Sequence, residues 1–261
     1  MTLDSPHTII FQSSSPLKRS EKDEGSLPLE ENSSSRNRNR KEVIGLDLNF
    51  DIIKNRRFYD GRRGIWYWCW FHPEKVSKAP ERFREFFEGR VVEREVPDFE
   101  ELKNSVTGYG GVEPAFCEDE WKYAGDFNFA PIRYAHENMD QGRHYRVLKA
   151  LVADEDSDVA CCELPVWGTI EDGEEFVEHT GHIDAIEVKN GEVHVLDYKP
   201  GSDEPHDHAR QIEAYRRLLA LRLRKEGSEH PRPESIGVGI FNDEQIWRCV
   251  FQPEDLKDDG R

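Results

Sequence analysis

Polar and apolar residues alternate on both sides of Asn190-Gly191, in the segment GHIDAIEVKNGEVHVLDYKPG. Asn-Gly between two alternating runs is the strongest short-range signal for a two-residue hairpin turn. Counting outward from that turn places Asp184 directly opposite Asp197. Residues that face each other across a hairpin share one side of the sheet, as do residues two apart. We therefore expect Asp184, Asp197 and Lys199 to lie together at the open end of the hairpin.

The chain from residue 136 onward combines helical and strand patterns. Apolar residues at helical spacing predict a helix over 136–154 and another over 207–225. Residues 159–168 have the apolar run of a buried strand, and 169–178 predict a turn with an acidic edge segment. Two further apolar runs on either side of Asn242-Asp243 predict a closing strand pair. This order predicts an α/β fold with a mixed central β-sheet flanked by helices.

Composition divides the chain into four regions. Residues 1–42 are rich in Ser, Pro, Asn and charge, so we expect a disordered polar tail, and 253–261 form a second polar tail. Residues 136–252 hold the core, and 43–135 are an N-terminal region of uncertain fold that packs on it. The aromatic run RRGIWYWCWFHP, over 62–73, fits either a strand with two buried faces or a platform on which bases stack.

The charge of the chain is strongly negative, at −17 with a pI near 5.1. Taken alone, this argues against non-specific binding to nucleic acid. However, the acidic residues are spread along the chain, as in proteins adapted to high salt, and we expect a halophilic source. In molar salt the Debye length is about 3 Å, so distant charges repel a phosphate backbone only weakly. Local basic residues can then still bind nucleic acid.

The five cysteines form no CxxC pair and no spacing typical of metal ligands. An odd count without a secretory signal favours a reduced, cytoplasmic protein over a disulfide framework. No apolar run approaches the roughly 18 residues of a membrane-spanning helix, so we expect no membrane association.

The two facing aspartates indicate a metal site. Carboxylates directly opposite each other destabilise a sheet, by roughly 0.2–1 kcal/mol even when exposed, and a divalent cation reverses that effect. Phosphodiester hydrolysis needs carboxylates that hold such a cation and a positive group near the attacking water. Asp184 and Asp197 provide the carboxylates, and Lys199 provides the ammonium group.

Three segments and their order resemble the RecB-type branch of the PD-(D/E)XK nucleases. GHIDAI at 181–186 resembles its G-x-x-D-x-[IV] segment, VLDYKPG at 195–201 its [DE]-Y-K-[TP]-G segment, and QIEAY at 211–215 its Q-x-x-x-Y helix. Gly142-Arg143-His144 stands where that branch has a histidine on an upstream helix. The resemblance covers roughly residues 136–252 and implies a restriction-endonuclease-like core.

The resemblance also implies roles for individual residues. It implies Mg²⁺ or Mn²⁺ bound by His144, Asp184, Asp197 and the backbone carbonyl of Tyr198, with Lys199 as the catalytic ammonium. It further implies that Gln211 and Tyr215, one helical turn apart, support the site and the path of the nucleic acid.

Some residues keep two interpretations at this point. Without the resemblance, the simpler interpretation of His144 is a surface histidine. Glu163 lies within an apolar strand, where an unpaired carboxylate is costly, so it either binds the metal or pairs with a Lys or Arg. Only Cys249 follows Tyr215, so the four-cysteine iron–sulfur cluster found in part of this branch is not expected.

The sequence thus predicts a Mg²⁺- or Mn²⁺-dependent deoxyribonuclease, exonuclease-like, acting in DNA repair, recombination or defence. The expected partner is DNA, single-stranded or at duplex ends; no helicase motif is present, so a helicase or other repair protein would be a separate chain. The alternative is a catalytically inactive nucleic-acid-binding or assembly module with the same fold. An RNA-directed hydrolase is a third hypothesis that the residues do not separate from the first.

Overall fold

The structure is a computed structural model. The residues it describes all lie within one compact unit, Glu42–Arg261. The expectations for 1–42 and 253–261 lie outside the described residues. The described residues are 46, 48–60, 65–93, 104–106, 112, 114, 120–140, 142–172, 175–202, 204–223 and 236–249.

A mixed β-sheet forms the centre of this unit, which confirms the α/β class. Its main path runs in the order β1-β2-β5-β6-β7-β8-β9-β4, and β3 pairs with β6 beside that path. The β7–β8 and β3–β6 pairs are parallel and the other pairs are antiparallel. The strands are β1 Lys54–Asp60, β2 Ile65–Phe71, β3 Asn104–Ser105, β4 Trp121–Tyr123, β5 Val159–Asp172, β6 Glu175–Lys189, β7 Glu192–Tyr198, β8 Ile236–Phe241 and β9 Ile246–Cys249.

The central hairpin has the register that the sequence predicts. β6 and β7 pair from Lys189 opposite Glu192 to Ala185 opposite Leu196. Asn190 and Gly191 have φ angles of 53° and 79°. Positive φ at both central residues is the requirement of a type I′ turn, which Asn-Gly satisfies with little strain.

Helices cover both faces of the sheet. Side chains of α5 pack with Val195 in one hydrophobic layer. Side chains of α3 and α4 pack with Leu196 in the other layer. Neighbouring residues of β7 therefore point to opposite helical layers, as strand geometry requires. The helices are α1 Pro73–Ser77, α2 Glu81–Phe86, α3 Ala130–Asn138, α4 Arg143–Ala153 and α5 Ala209–Arg222, with a π-helical turn Phe87–Val92 and a 3-10 turn Pro205–His208.

Two local expectations are wrong. The single helix expected over 136–154 is two helices, because Met139 is extended and α4 begins only after Gly142. The segment expected to be a turn with an acidic edge instead continues β5 and β6, which pair as far as Asp172 opposite Glu175.

The N-terminal region contributes strands to the central sheet. β2 pairs with β5 at one side, and β4 pairs with β9 at the other. Within the described ranges, no helix has both the length and the apolar character needed to cross a membrane.

Candidate metal centre

Three neighbouring strands bring carboxylates to one point. Between the pairs Cys162–Ala185 and Leu164–Ile183, one residue remains on each strand, Glu163 on β5 and Asp184 on β6. On the other side of β6, pairing with β7 ends at Ala185–Leu196, and the next residues are Asp184 and Asp197. The carboxylates therefore meet where the ladder between β6 and β7 stops.

His144 completes a group of ligand atoms with two of these carboxylates. One ligand atom from each of His144, Glu163 and Asp184 lies within 4.8 Å of the others. His144 Nε2 is 3.3 Å from Asp184 Oδ1 and 3.6 Å from Glu163 Oε1. Burial lowers the pKa of His144, but the hydrogen bond to Asp184 and the nearby carboxylate charges outweigh burial and raise it. The first turn of α4 thus directs an imidazole into an acidic cluster.

Glu163 occupies a strained position in the middle of β5. Its φ is 54°, in the left-handed region, which costs roughly 1–3 kcal/mol for a residue other than glycine. The strain coincides with a break in strand alternation, since Cys161 and Leu164 pack in the same hydrophobic layer although they are three residues apart. Glu163 lies beside His144 and Asp184, an arrangement that favours the ligand interpretation over the purely structural one.

Asp197 lies next to this group and contacts Lys199. Lys199 Nζ is 2.7 Å from Asp197 Oδ2. Asp197 Oδ1 is buried and accepts no hydrogen bond from the described residues. Burial, and then the negative charge of Asp184, raise the pKa of Asp197 to about 7 despite Lys199. The predicted lysine–carboxylate pair is therefore present, but Asp197 lies outside the group formed by His144, Glu163 and Asp184.

Asp184 is stabilised as a carboxylate. Burial raises its pKa, but the hydrogen bond and charge of His144, the charge of Lys199 and the Tyr198 N–H together lower it below the ordinary value. The Tyr198 N–H donates to Asp184 Oδ2 at 2.8 Å. Asp184 and Asp197 thus differ in basicity although they are neighbours, and the role of the Tyr198 carbonyl stays a prediction.

Asp243, in the turn between β8 and β9, links the elements that surround the site. Its Oδ1 accepts a hydrogen bond from the Tyr198 hydroxyl and lies 3.0 Å from His136 Nε2, while Oδ2 pairs with Arg143. The Tyr198 ring is 5.5 Å from the ring of His144. Sequence reasoning treated Asp243 as a turn residue only, and no local pattern indicates that it joins β7 to α4.

Gln211 and Tyr215 share one side of α5, as predicted, and Gln211 Nε2 donates to the Tyr215 hydroxyl at 3.2 Å. A Cβ atom at Gly181 would lie 2.5 Å from Tyr215 Cε1, so glycine allows this ring to approach β6 three residues before Asp184. The structure places this pair against the strand of Asp184.

Two further features adjoin the site. The His182 ring stacks on Tyr67 with 3.5 Å between centroids, and its Nδ1 is 3.8 Å from Glu163 Oε2. A cavity of about 590 Å³ opens at the end of β7; it is lined by Lys199, Pro200, Gly201, Ser202, Glu204, Asp207 and His208. Lys199 thus stands between the carboxylates and an open cavity.

Comparisons with known proteins show no family for this chain. No family model and no curated protein matches it. Among solved structures, a match is the crystal structure of SSO0001, with a TM-score of 0.27, 14% identity and coverage of 67% of this chain and 81% of that one. A TM-score at this level supports no conclusion about fold family or function.

Proposed function

We propose that this chain is a metal-dependent nuclease with a restriction-endonuclease-like core, of the RecB-type PD-(D/E)XK kind. The observation that supports this most is the meeting of four elements at one point: His144 at the start of α4, Glu163 in β5, Asp184 in β6, and the Asp197–Lys199 pair at the end of β7. Helices and strands hold side chains more rigidly than loops do, which suits a catalytic site.

The residues present fit a hard divalent cation. Mg²⁺ and Mn²⁺ prefer oxygen ligands, which Glu163, Asp184 and Asp197 offer, and the imidazole of His144 is a further candidate ligand. The raised pKa of Asp197 and its buried Oδ1 both indicate a negative charge that the described groups do not fully balance. When bound, Mg²⁺ or Mn²⁺ would polarise a phosphoryl oxygen and lower the pKa of water.

The chain's own residues supply the remaining chemistry. Lys199 holds Asp197 on one side and borders the cavity on the other. Its ammonium group can therefore orient the attacking water or stabilise the charge that develops on the phosphate. Asp184, with its lowered pKa, stays ionised at neutral pH and gives the site its permanent negative charge.

The substrate that we propose is DNA, single-stranded or at duplex ends, with exonuclease-like cleavage in repair, recombination or defence. A separate helicase or another repair protein is a candidate partner. We place the protein in the cytoplasm, because an odd number of cysteines favours a reduced compartment over a disulfide framework.

A second candidate is an inactive nucleic-acid-binding or assembly module. The contact between Lys199 and Asp197 favours it, because the group of ligand atoms that lie together does not include Asp197. Retention of both aspartates and the lysine favours the nuclease, since an inactive copy has no need of all three.

One assay separates these candidates. Labelled single- and double-stranded DNA and RNA are incubated with the full chain in Mg²⁺, Mn²⁺ or EDTA, at low and high salt. We expect metal-dependent cleavage of DNA that Asp197→Asn abolishes. Cleavage of RNA alone would change the substrate, and metal binding by calorimetry without any cleavage would favour the inactive module.

A further inference from the structure

Strand β2 presents a band of aromatic side chains on the face away from its buried residues. Tyr67, Cys69 and Phe71 are buried, whereas Trp68 is 38% exposed. The rings of Trp68 and Trp70 are 6.2 Å apart between centroids. The strand with two buried faces, one of the two expectations for this run, is therefore wrong for Trp68. Trp68 therefore leaves part of its indole open to solvent beside a second tryptophan ring.

Cations lie over this aromatic band. Arg57 faces Trp68 across the β1–β2 ladder, with its guanidinium carbon 5.5 Å from the indole centroid. Lys149 Nζ, from α4, is 4.1 Å from the centroid of Trp70 and 5.5 Å from that of Phe50. Cations and aromatic rings interleaved in this way are typical of surfaces that bind single-stranded nucleic acid.

The band continues to the candidate metal centre. The Trp70 ring packs edge-on against Tyr145 at 6.0 Å, and Tyr145 follows His144 in α4. Trp70 is also paired with Cys162, which precedes Glu163 in β5. A strand of nucleic acid lying on the band would therefore lead toward His144 and Glu163.

We propose that this aromatic strip, Trp68, Trp70 and Tyr145 with Arg57 and Lys149, binds single-stranded nucleic acid on its way to the metal centre; the proposal rests on the proposed function. An unpaired base can place its face or edge against the exposed Trp68, while Arg57 and Lys149 attract the phosphates. A duplex keeps its bases stacked on each other and offers only its terminal pair. The strip therefore selects single strands over duplex.

Binding of a fluorescein-labelled oligo(dT) to the full chain, measured by anisotropy in EDTA, tests this proposal without cleavage. We expect Trp68→Ala to raise the Kd about tenfold, the loss expected for one base–aromatic stack. Trp68→Phe keeps an aromatic face and should restore most of the affinity. Arg57→Gln should reduce the slope of log Kd against log salt by about 0.7, one phosphate contact on a single strand.

The matched control is Tyr123→Ala. Tyr123 is also an exposed aromatic, at 62%, but it lies in β4 at the opposite edge of the sheet, so its loss should leave the Kd unchanged. Equal Kd values for wild type and Trp68→Ala would overturn the strip, as would equal weakening by Tyr123→Ala. If the strip instead binds a protein, Trp68→Ala should leave the Kd for oligo(dT) unchanged.

Hydrolysis of bis(p-nitrophenyl) phosphate by the wild-type chain in Mn²⁺ separates this proposal from the proposed function. That small diester has one phosphate and no nucleobase, so its hydrolysis tests the metal centre and not the binding of a strand to the strip. Absence of its hydrolysis, together with a tenfold effect of Trp68→Ala on oligo(dT) binding, would leave the strip standing and reject the nuclease. Hydrolysis of the diester, together with an unchanged oligo(dT) Kd in Trp68→Ala, would support the nuclease and reject the strip.

Discussion

Two sets of buried carboxylates in this molecule differ in how their charge is balanced. Glu213 of α5 is fully buried and accepts hydrogen bonds of 2.7 Å from both Arg216 and Arg217. Glu187 of β6 is paired through both oxygens with Arg248, at 2.6 and 2.7 Å. These carboxylates have the planar, two-bonded guanidinium partners that make a buried charge tolerable.

Asp184 lies on the same strand, only three residues before Glu187, yet its surroundings are different. Asp184 and Asp197 have one lysine and one histidine as their nearest cations, and Glu163 adds a further carboxylate. One oxygen of Asp197 accepts no hydrogen bond from the described residues. The contrast supports the proposal that the carboxylates beside His144 bind a cation from solution, whereas Glu213 and Glu187 stabilise the fold.

The largest expected effect tests the carboxylates beside His144 directly. Asp184→Asn and Asp197→Asn keep the side-chain volume but remove a carboxylate, and each should lower metal-dependent cleavage roughly a thousandfold or more. Single-turnover cleavage of labelled DNA in Mn²⁺ measures this. Asp126→Asn is the matched control, because Asp126 pairs with Lys189 on the surface, and it should keep wild-type rates. Wild-type rates in Asp197→Asn would remove that residue from the site.

The arginine-paired carboxylates should show their effect in the stability of the fold. Glu213→Gln leaves Arg216 buried, with only 6% of its side chain exposed, and without its charged partner. We expect the free energy of unfolding to fall by about 3–5 kcal/mol, measured by urea denaturation. Glu192→Gln, at a side chain that is 66% exposed, should change it by less than about 0.5 kcal/mol. Equal stability of the two variants would abolish the distinction between the groups.

Much of the fold and part of the site follow from local sequence patterns. Asn190-Gly191 fixes the hairpin turn, and the count outward gives the observed register as far as Ala185 and Leu196. That register brings Asp184 toward Asp197 and Lys199 without any knowledge of the remaining chain. Local turn chemistry and period-two alternation are sufficient here because both act over a few residues.

The features that local patterns leave open depend on contacts between distant segments. Glu163 reaches the site only through a left-handed backbone that no propensity favours. Asp243 acts through Tyr198 and Arg143, which are 45 and 100 residues away in the chain. The pairing of β2 with β5 likewise depends on tertiary packing, because alternation alone does not identify the partner strand.

Asp243 should have an intermediate effect, because it acts on the site through other residues. Asp243→Asn weakens the link from Tyr198 and Arg143, and with it the orientation of His144. Loss of such an outer partner typically costs about 10–100-fold in metal affinity or activity. Calorimetric titration with Mn²⁺ should show weaker binding with little change in melting temperature, and Asp126→Asn again serves as the control. A fall in melting temperature with unchanged Mn²⁺ affinity would make Asp243 a structural residue only.

The smallest expected effect is the pH dependence of stability without metal. The pKa of Asp197 is raised to about 7 in the folded state, so that state binds more protons than the unfolded chain between about pH 4 and 7. The free energy of unfolding should therefore fall as pH rises through this range, by on the order of 1 kcal/mol per pH unit. Asp197→Asn should reduce this fall without abolishing it, because burial also raises the pKa of Asp154, to about 6. Mn²⁺ should reverse the trend, because its binding needs the ionised carboxylate and strengthens as pH rises. Urea denaturation across the range, with EDTA and with Mn²⁺, measures both slopes. A fall of the same size in Asp197→Asn would have to come from other groups, such as Asp154, and would weaken the charge imbalance assigned to Asp184 and Asp197.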